Sequence, residues 1–289
     1  MLDSLEIVVL MEDSVPMDGA LVAEHGLSFF IRGTRDGREI CGLLDVGQTP
    51  ELLAHNMREL GVDPACLEFV VLSHCHYDHT GGVASLVRSV GRRELPVVAN
   101  PDLFRPHFKS APVISALGVR PDDRREAIEA AGGRLLLSRG PFPLTDGLAT
   151  TGEIPRVTDF EGGPTGFFTL RDGSPVPDQM MDDMGVIARV KGRGVVLLSG
   201  CSHSGIINML RHVRALCPGE RVVGLVGGLH LVNAGREAMD RTIEGLREFD
   251  LEWISTGHCT GFPMQARLLE EFGDRFVPLS VGRRFFVGA

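Results

Sequence analysis

Three imidazoles and one carboxylate fall within six positions in His74-Cys75-His76-Tyr77-Asp78-His79. Neutral imidazole and carboxylate are the usual ligands of zinc, iron and manganese. The run follows the apolar residues 67–72 and precedes Gly81-Gly82, so it sits where a strand gives way to a turn. His74 and His76, spaced i and i+2, leave such a strand on one side. Asp78 and His79, on the turn, are placed to address a second ion. A two-metal site is therefore expected, with zinc and iron about equally suited and manganese less so.

Four donors cannot complete two coordination shells, so further ligands must come from elsewhere in the chain. Three segments qualify. Cys201 and His203 follow the apolar run VVLLSG at the same i, i+2 spacing, His230 lies in VGGLHL, and His258 follows WISTG. Each ends an apolar stretch in a glycine-containing turn, and all are expected at one edge of the fold. His25, His55, His107 and His212 have no such context and read as ordinary histidines of helices or surface loops.

The elements that must hold these residues alternate along the chain. Strand patterns at residues 5–11, 27–32 and 39–45 precede a helix from Pro50 to about residue 60, where Thr49 caps and Pro50 opens the first turn. A strand at 67–72, a helix at 83–90 and a strand at 95–99 follow. Helical patches are expected at 102–108 and 124–131, with a strand at 135–137. Residues 153–184 are rich in Gly, Pro and Asp and predict a long lid or binding loop, with one strand at 167–171. A hairpin at 186–199 turns at Gly192-Arg193-Gly194, and three strand–helix units finish the chain. Strand-rich and helix-rich stretches occur once in each half, which suits a single α/β domain over 1–289: two packed sheets between outer helices, an αββα sandwich.

Composition narrows the function. Of 289 residues, 29 are basic and 38 acidic, for a net charge of −9. A phosphate backbone finds no broad positive field here, which argues against nucleic acid as a partner. No apolar run approaches the roughly 18 residues of a membrane span, and the acidic start MLDSLEIVVLMEDS is unlike a secretory leader. The expectation is a cytoplasmic protein without a membrane partner. The six scattered cysteines form no CxxC pair and are expected to be reduced.

Together these residues resemble the metallo-β-lactamase superfamily, whose HxHxDH hallmark is met in full by His74 to His79. The resemblance implies the four-layer sandwich. It also implies that His74 and His76 hold one ion and that Asp78, His79 and His258 hold another, with Asp45 of LLDVG supporting the metal loop from behind. Two departures stand out. TTGEIPR, with Glu153, occupies the place of the superfamily's third histidine, and GCSHSG puts Cys201 where hydrolases carry a bridging aspartate, with His203 two residues on. The set SHCHYDHTGG, TGEIPR, GCSHSG, GGLHL and GHCTG is similar to one subgroup, the 7,8-dihydropterin-6-methyl-4-(β-D-ribofuranosyl)aminobenzene 5′-phosphate synthase-like proteins. That similarity implies an enzyme acting on a small, phosphorylated, pterin-like substrate. Asp78, Glu153 and His230 are then catalytic candidates, and Tyr77, Arg156 and His230 substrate contacts. The same residues would suit a hydrolase of an ester, lactone, thioester or phosphodiester, or, with filled coordination shells, a non-catalytic metal or ligand sensor.

Overall fold

The computed structural model describes residues 1–161, 163 and 165–288. Two seven-stranded sheets face one another. The first runs in the order Arg284–Gly288, Ser4–Met11, Ser28–Arg35, Arg38–Leu44, Leu67–Val71, Leu95–Ala99, Gly133–Leu137; the second runs Phe276–Pro278, Trp253–Thr256, Val222–Gly227, Gly194–Ser199, Gly185–Val190, Leu148–Thr150, Pro143–Thr145. Each sheet is half antiparallel and half parallel. The parallel pairs join 38–44, 67–71, 95–99 and 133–137 in the first sheet and 194–199, 222–227, 253–256 and 276–278 in the second.

Alternation along the strands decides which layer each side chain enters. In Ser4–Met11, Ile7 and Val9 point between the sheets, where they meet Phe29, Val186, Val196 and Val226, while Val8 and Leu10 turn outward onto Leu53 and Met57 of the helix Pro50–Glu59. The second sheet repeats this scheme. Leu197, Leu225 and Ile254 pack against Ile207 and Leu210 of the helix Ile206–Leu216, Ile243 and Leu246 of Arg236–Arg247, and Leu268 of Phe262–Phe272. Strands buried on both faces need apolar residues at nearly every position, and FVV, PVVA, VVLLS and VVGLV supply them. The αββα sandwich expected from the sequence is thus the observed architecture.

Two local expectations need correction. Residues 102–108 form no α-helical patch: a 3-10 turn at Pro101–Phe104 gives way to a short strand at Phe108–Lys109. The stretch 153–184 is more ordered than a loop with one strand. Phe167–Arg171 forms a hairpin with Ser174–Pro177, and with Phe108–Lys109 and Ser115–Ala116 these make a third, four-stranded sheet. Gly162 and Pro164 of that stretch lie outside the described residues. No described helix is long and apolar enough to cross a membrane.

Candidate metal centre

In open sheets, ligands gather beyond the carboxyl ends of parallel strands, and both sheets present those ends at the same edge. The first delivers Asp45 after Arg38–Leu44 and the residues 73–79 after Leu67–Val71. The second delivers Cys201 and His203 after Gly194–Ser199, His230 after Val222–Gly227, and His258 after Trp253–Thr256. Close approach of the two sets depends on Gly200, where any Cβ would collide with Ser73 and crowd Asp45. Asp45, Ser202, His230 and His258 all hold positive φ, between 49° and 60°. Such backbone costs about 1–3 kcal/mol per residue and persists where the surroundings enforce it, commonly at functional sites. At His258 a buried carboxylate does so: Glu12 Oε1 accepts its backbone N–H at 2.6 Å.

The candidate donors converge in overlapping groups whose ligand atoms lie within 4.8 Å of one another: His74, His76 and His203; Asp78, His79 and His258; His74, His79 and Cys201; and Cys201, His230 and Cys259. Hydrogen-bond counting shows which nitrogen of each ring is free. Ser73 Oγ donates to Asp45 Oδ2 at 2.6 Å, so it must accept from His74 Nδ1 at 2.8 Å, leaving His74 Nε2 unprotonated and without a partner among the described residues. His79 Nδ1 donates to Asp45 Oδ2 at 2.7 Å and His258 Nδ1 to Asp13 Oδ1 at 2.7 Å, which leaves the two Nε2 atoms to face Asp78; they lie 3.3 Å apart and 3.5 and 3.3 Å from Asp78 Oδ2. Neither ring nitrogen of His203 has a partner among the described residues, although the residue is buried. Burial, reinforced by the neighbouring imidazoles, pushes the pKa values of His74 and His203 well below the ordinary histidine value, and burial does the same at His76. Buried, neutral, unsatisfied imidazoles beside a carboxylate are unfavourable unless something accepts their lone pairs. A divalent cation does so, and the donor set fits the metals expected.

Two flanks support this centre. On one, His107 Nδ1 donates to Asp178 Oδ2 at 2.7 Å, so in its neutral form its Nε2 accepts from His76 Nε2 at 2.9 Å, which leaves Nδ1 as the unprotonated nitrogen of His76. Asp178 is fixed by Arg105 Nε at 2.7 Å, and the same guanidinium reaches Asp182, whose other oxygen accepts Cys75 N–H. On the other flank, Asp13 accepts from His258 and, through Oδ2, from His25 Nδ1 at 2.9 Å, while His25 Nε2 approaches Asp78 at 3.4 Å. His25 and His107, read from sequence as ordinary loop or helix histidines, therefore belong to the neighbourhood of the site. No local signal could place them, because Asp178 lies 71 positions beyond His107. His55 and His212 do lie on helices, hydrogen bonded to backbone carbonyls.

The cluster opens into a cleft of about 970 Å3, lined among others by Tyr77, Phe160, Phe167, His203, His230 and Lys109. Phe167 sets its ring against His76 and His107, with centroids 5.5 and 4.9 Å away. Lys109 is one of two lysines in the chain and the only lysine or arginine among the described lining residues; nothing in its short sequence context marks it. Tyr77 reaches the cleft with the Arg120 guanidinium over its ring. Two sequence candidates stay away from it. Glu153 is drawn to Arg139 and Asn100, and its own N–H is bound to the Arg139 carbonyl. Arg156 grips the side chain and backbone carbonyl of Gln179 and is not among the described lining residues. The third imidazole beside His74 and His76 is that of His203. All six cysteines are free thiols.

Residues 23–201 match the family model described as the metallo-β-lactamase superfamily. Over 284 residues, covering 97% of this chain and 96% of its relative, the sequence is 34% identical to a Methanocaldococcus jannaschii protein named 7,8-dihydropterin-6-methyl-4-(β-D-ribofuranosyl)-aminobenzene-5′-phosphate synthase. Among solved structures, Tm1679, described as a metal-dependent hydrolase of the β-lactamase superfamily, aligns over 99% of this chain and 100% of its own with a TM-score of 0.80 at 24% identity. Zn2+-bound PqqB from Methylobacterium extorquens aligns over 97% and 99% with a TM-score of 0.56 at 13% identity. These last two likenesses concern the fold.

Proposed function

The chain belongs to the metallo-β-lactamase superfamily, and from that premise we propose that it is a two-metal enzyme joining a dihydropterin methyl diphosphate to an aminobenzene riboside phosphate. The observation that carries the reading is the pairing, along one cleft, of a dense metal-donor cluster with Lys109, the one lysine or arginine among the described lining residues. A cleft of about 970 Å3 suits a substrate larger than a simple ester. The 34% identity to the named synthase, spread over nearly the whole of both chains, adds support.

His74, His76 and His203 would hold one ion and Asp78, His79 and His258 the second, zinc or iron, with Cys201 between them. When bound, the ions supply Lewis-acid stabilisation for charge developing on a departing diphosphate. Lys109 binds phosphate as a point charge. Phe160 and Phe167 offer ring faces and edges to a planar heterocycle, while Tyr77 reaches a substrate oxygen. The C–O bond to the diphosphate breaks, with the electron pair leaving on oxygen. The arylamine nitrogen forms the new C–N bond, and its surplus proton passes to solvent through the open cleft. Segment 153–184 acts as a wall or lid through Phe160, Glu161 and Phe167.

The test is diphosphate release by metal-loaded protein with and without the aminobenzene riboside phosphate. Release that requires both substrates is the expected result. Release without the amine would replace the synthase reading with a hydrolase, and no release with two ions bound would remove the pterin substrate altogether. Lys109→Ala should raise KM for the phosphorylated substrates with kcat little changed, as loss of uniform binding predicts.

A further inference from the structure

Cys259 was not among the residues that the sequence singled out, yet the chain is shaped around its sulfur. Gly228 has no side chain where any Cβ would run into Cys259 Sγ. The backbone N–H of His230 donates to that sulfur at 3.3 Å, and the thiol in turn faces the Cys201 carbonyl at 3.6 Å. The side chains of Cys201, Cys259 and His230 then bring two sulfurs and a ring nitrogen within 4.8 Å of one another. His230 Nδ1 is buried without a partner among the described residues, and the residue is held at a φ of 49°. All three residues line the cleft, so one side of the trio is open.

We propose that Cys201, Cys259 and His230 form a third, sulfur-rich metal site that shares Cys201 with the histidine and aspartate donors and is accessible from the cleft. Two thiolates and an imidazole select soft or borderline ions such as zinc, iron(II) or cobalt(II) over magnesium, calcium or manganese. Cys201 Sγ also lies 3.2 Å from His79 Nε2, so its thiolate is shared with the neighbouring donors and ties the third ion to the other two. Each thiol gives up its proton to solvent as its sulfur–metal bond forms, so filling the site releases two protons and leaves the oxidation state of sulfur unchanged.

The probe is cobalt(II) added to the metal-free, reduced full-length chain, followed by bound cobalt per chain and the near-ultraviolet thiolate-to-cobalt absorption. Neither readout uses a substrate, so failure here and failure of the proposed reaction are distinguishable. Wild-type protein should bind three equivalents. Cys259→Ser should bind one equivalent fewer and lose about half of the thiolate absorption, whereas His76→Ala should lose cobalt but keep that absorption. His230→Ala, which truncates a partly exposed cleft residue and spares the core, should also lose one equivalent, so the result does not depend on how well Cys259→Ser folds. Wild-type stoichiometry in both Cys259→Ser and His230→Ala, or thiolate absorption unchanged in Cys259→Ser, would overturn the proposal.

Discussion

The two flanks of the metal centre use the same parts in different surroundings. On each, a candidate ligand histidine is tied into a chain containing one carboxylate and one further histidine: His76 to His107 to Asp178 on one side, and His258 to Asp13 to His25 on the other. The order differs, and so does the solvent. His107 and Asp178 have side-chain exposures of 0% and 4%, whereas His25 and Asp13 have 54% and 38%. Water can replace a lost partner on the open flank and cannot readily do so on the closed one, where an orphaned polar group carries its full desolvation cost. Similar contact lists therefore imply different energetic weight.

Substitutions can break or sharpen that contrast. The largest effect belongs to His76→Ala, which removes a donor outright and should weaken binding at its ion by more than the roughly 100-fold ceiling typical of outer partners; competition with a chelator measures it, and unchanged metal content would remove His76 from the ligand set. His107→Ala should come next, near the upper end of the 10–100-fold range for groups that orient a metal-binding histidine, with His107→Gln recovering part of the loss if orientation is the cause. Asp13→Asn, on the open flank, should fall near the lower end of that range, about tenfold. If it equalled or exceeded His107→Ala, burial would not be what separates the flanks. His25→Ala should cost least. A pair this exposed is worth up to about 1 kcal/mol, roughly a fivefold change at most.

How much could be read from sequence follows the same division between local and distant. The six-residue cluster needed no partner to be recognised, and near it the helical period of Val83–Val90 and the continuous apolar run of Leu95–Ala99 are local signals strong enough to place those elements. His203, His230 and His258 could be nominated because each ends an apolar strand. His107, Asp178, Lys109 and Cys259 carried no such mark. Their roles come from neighbours far along the chain and from the third sheet, two of whose strands have only two residues and no periodicity to detect. Glu153 was nominated because it stands where relatives keep a histidine. Position in a motif does not decide where a carboxylate points when an arginine lies within reach.

The centre is also a late event in the life of each molecule. His79 and His258 are 179 positions apart, and Asp13 and His258 are 245 apart. The strand Ser4–Met11 lies between Ser28–Arg35 and Arg284–Gly288, so a strand made early is completed on both sides only late. Synthesis proceeds from the N-terminus, and pairing across such separations is slow to form. A nascent chain that has presented residues 74–79 to solvent holds a fragment of a binding site and nothing with which to close it. Tight capture of metal by this cluster would thus require that both sheets have docked, and a chain truncated before His258 is expected not to retain it.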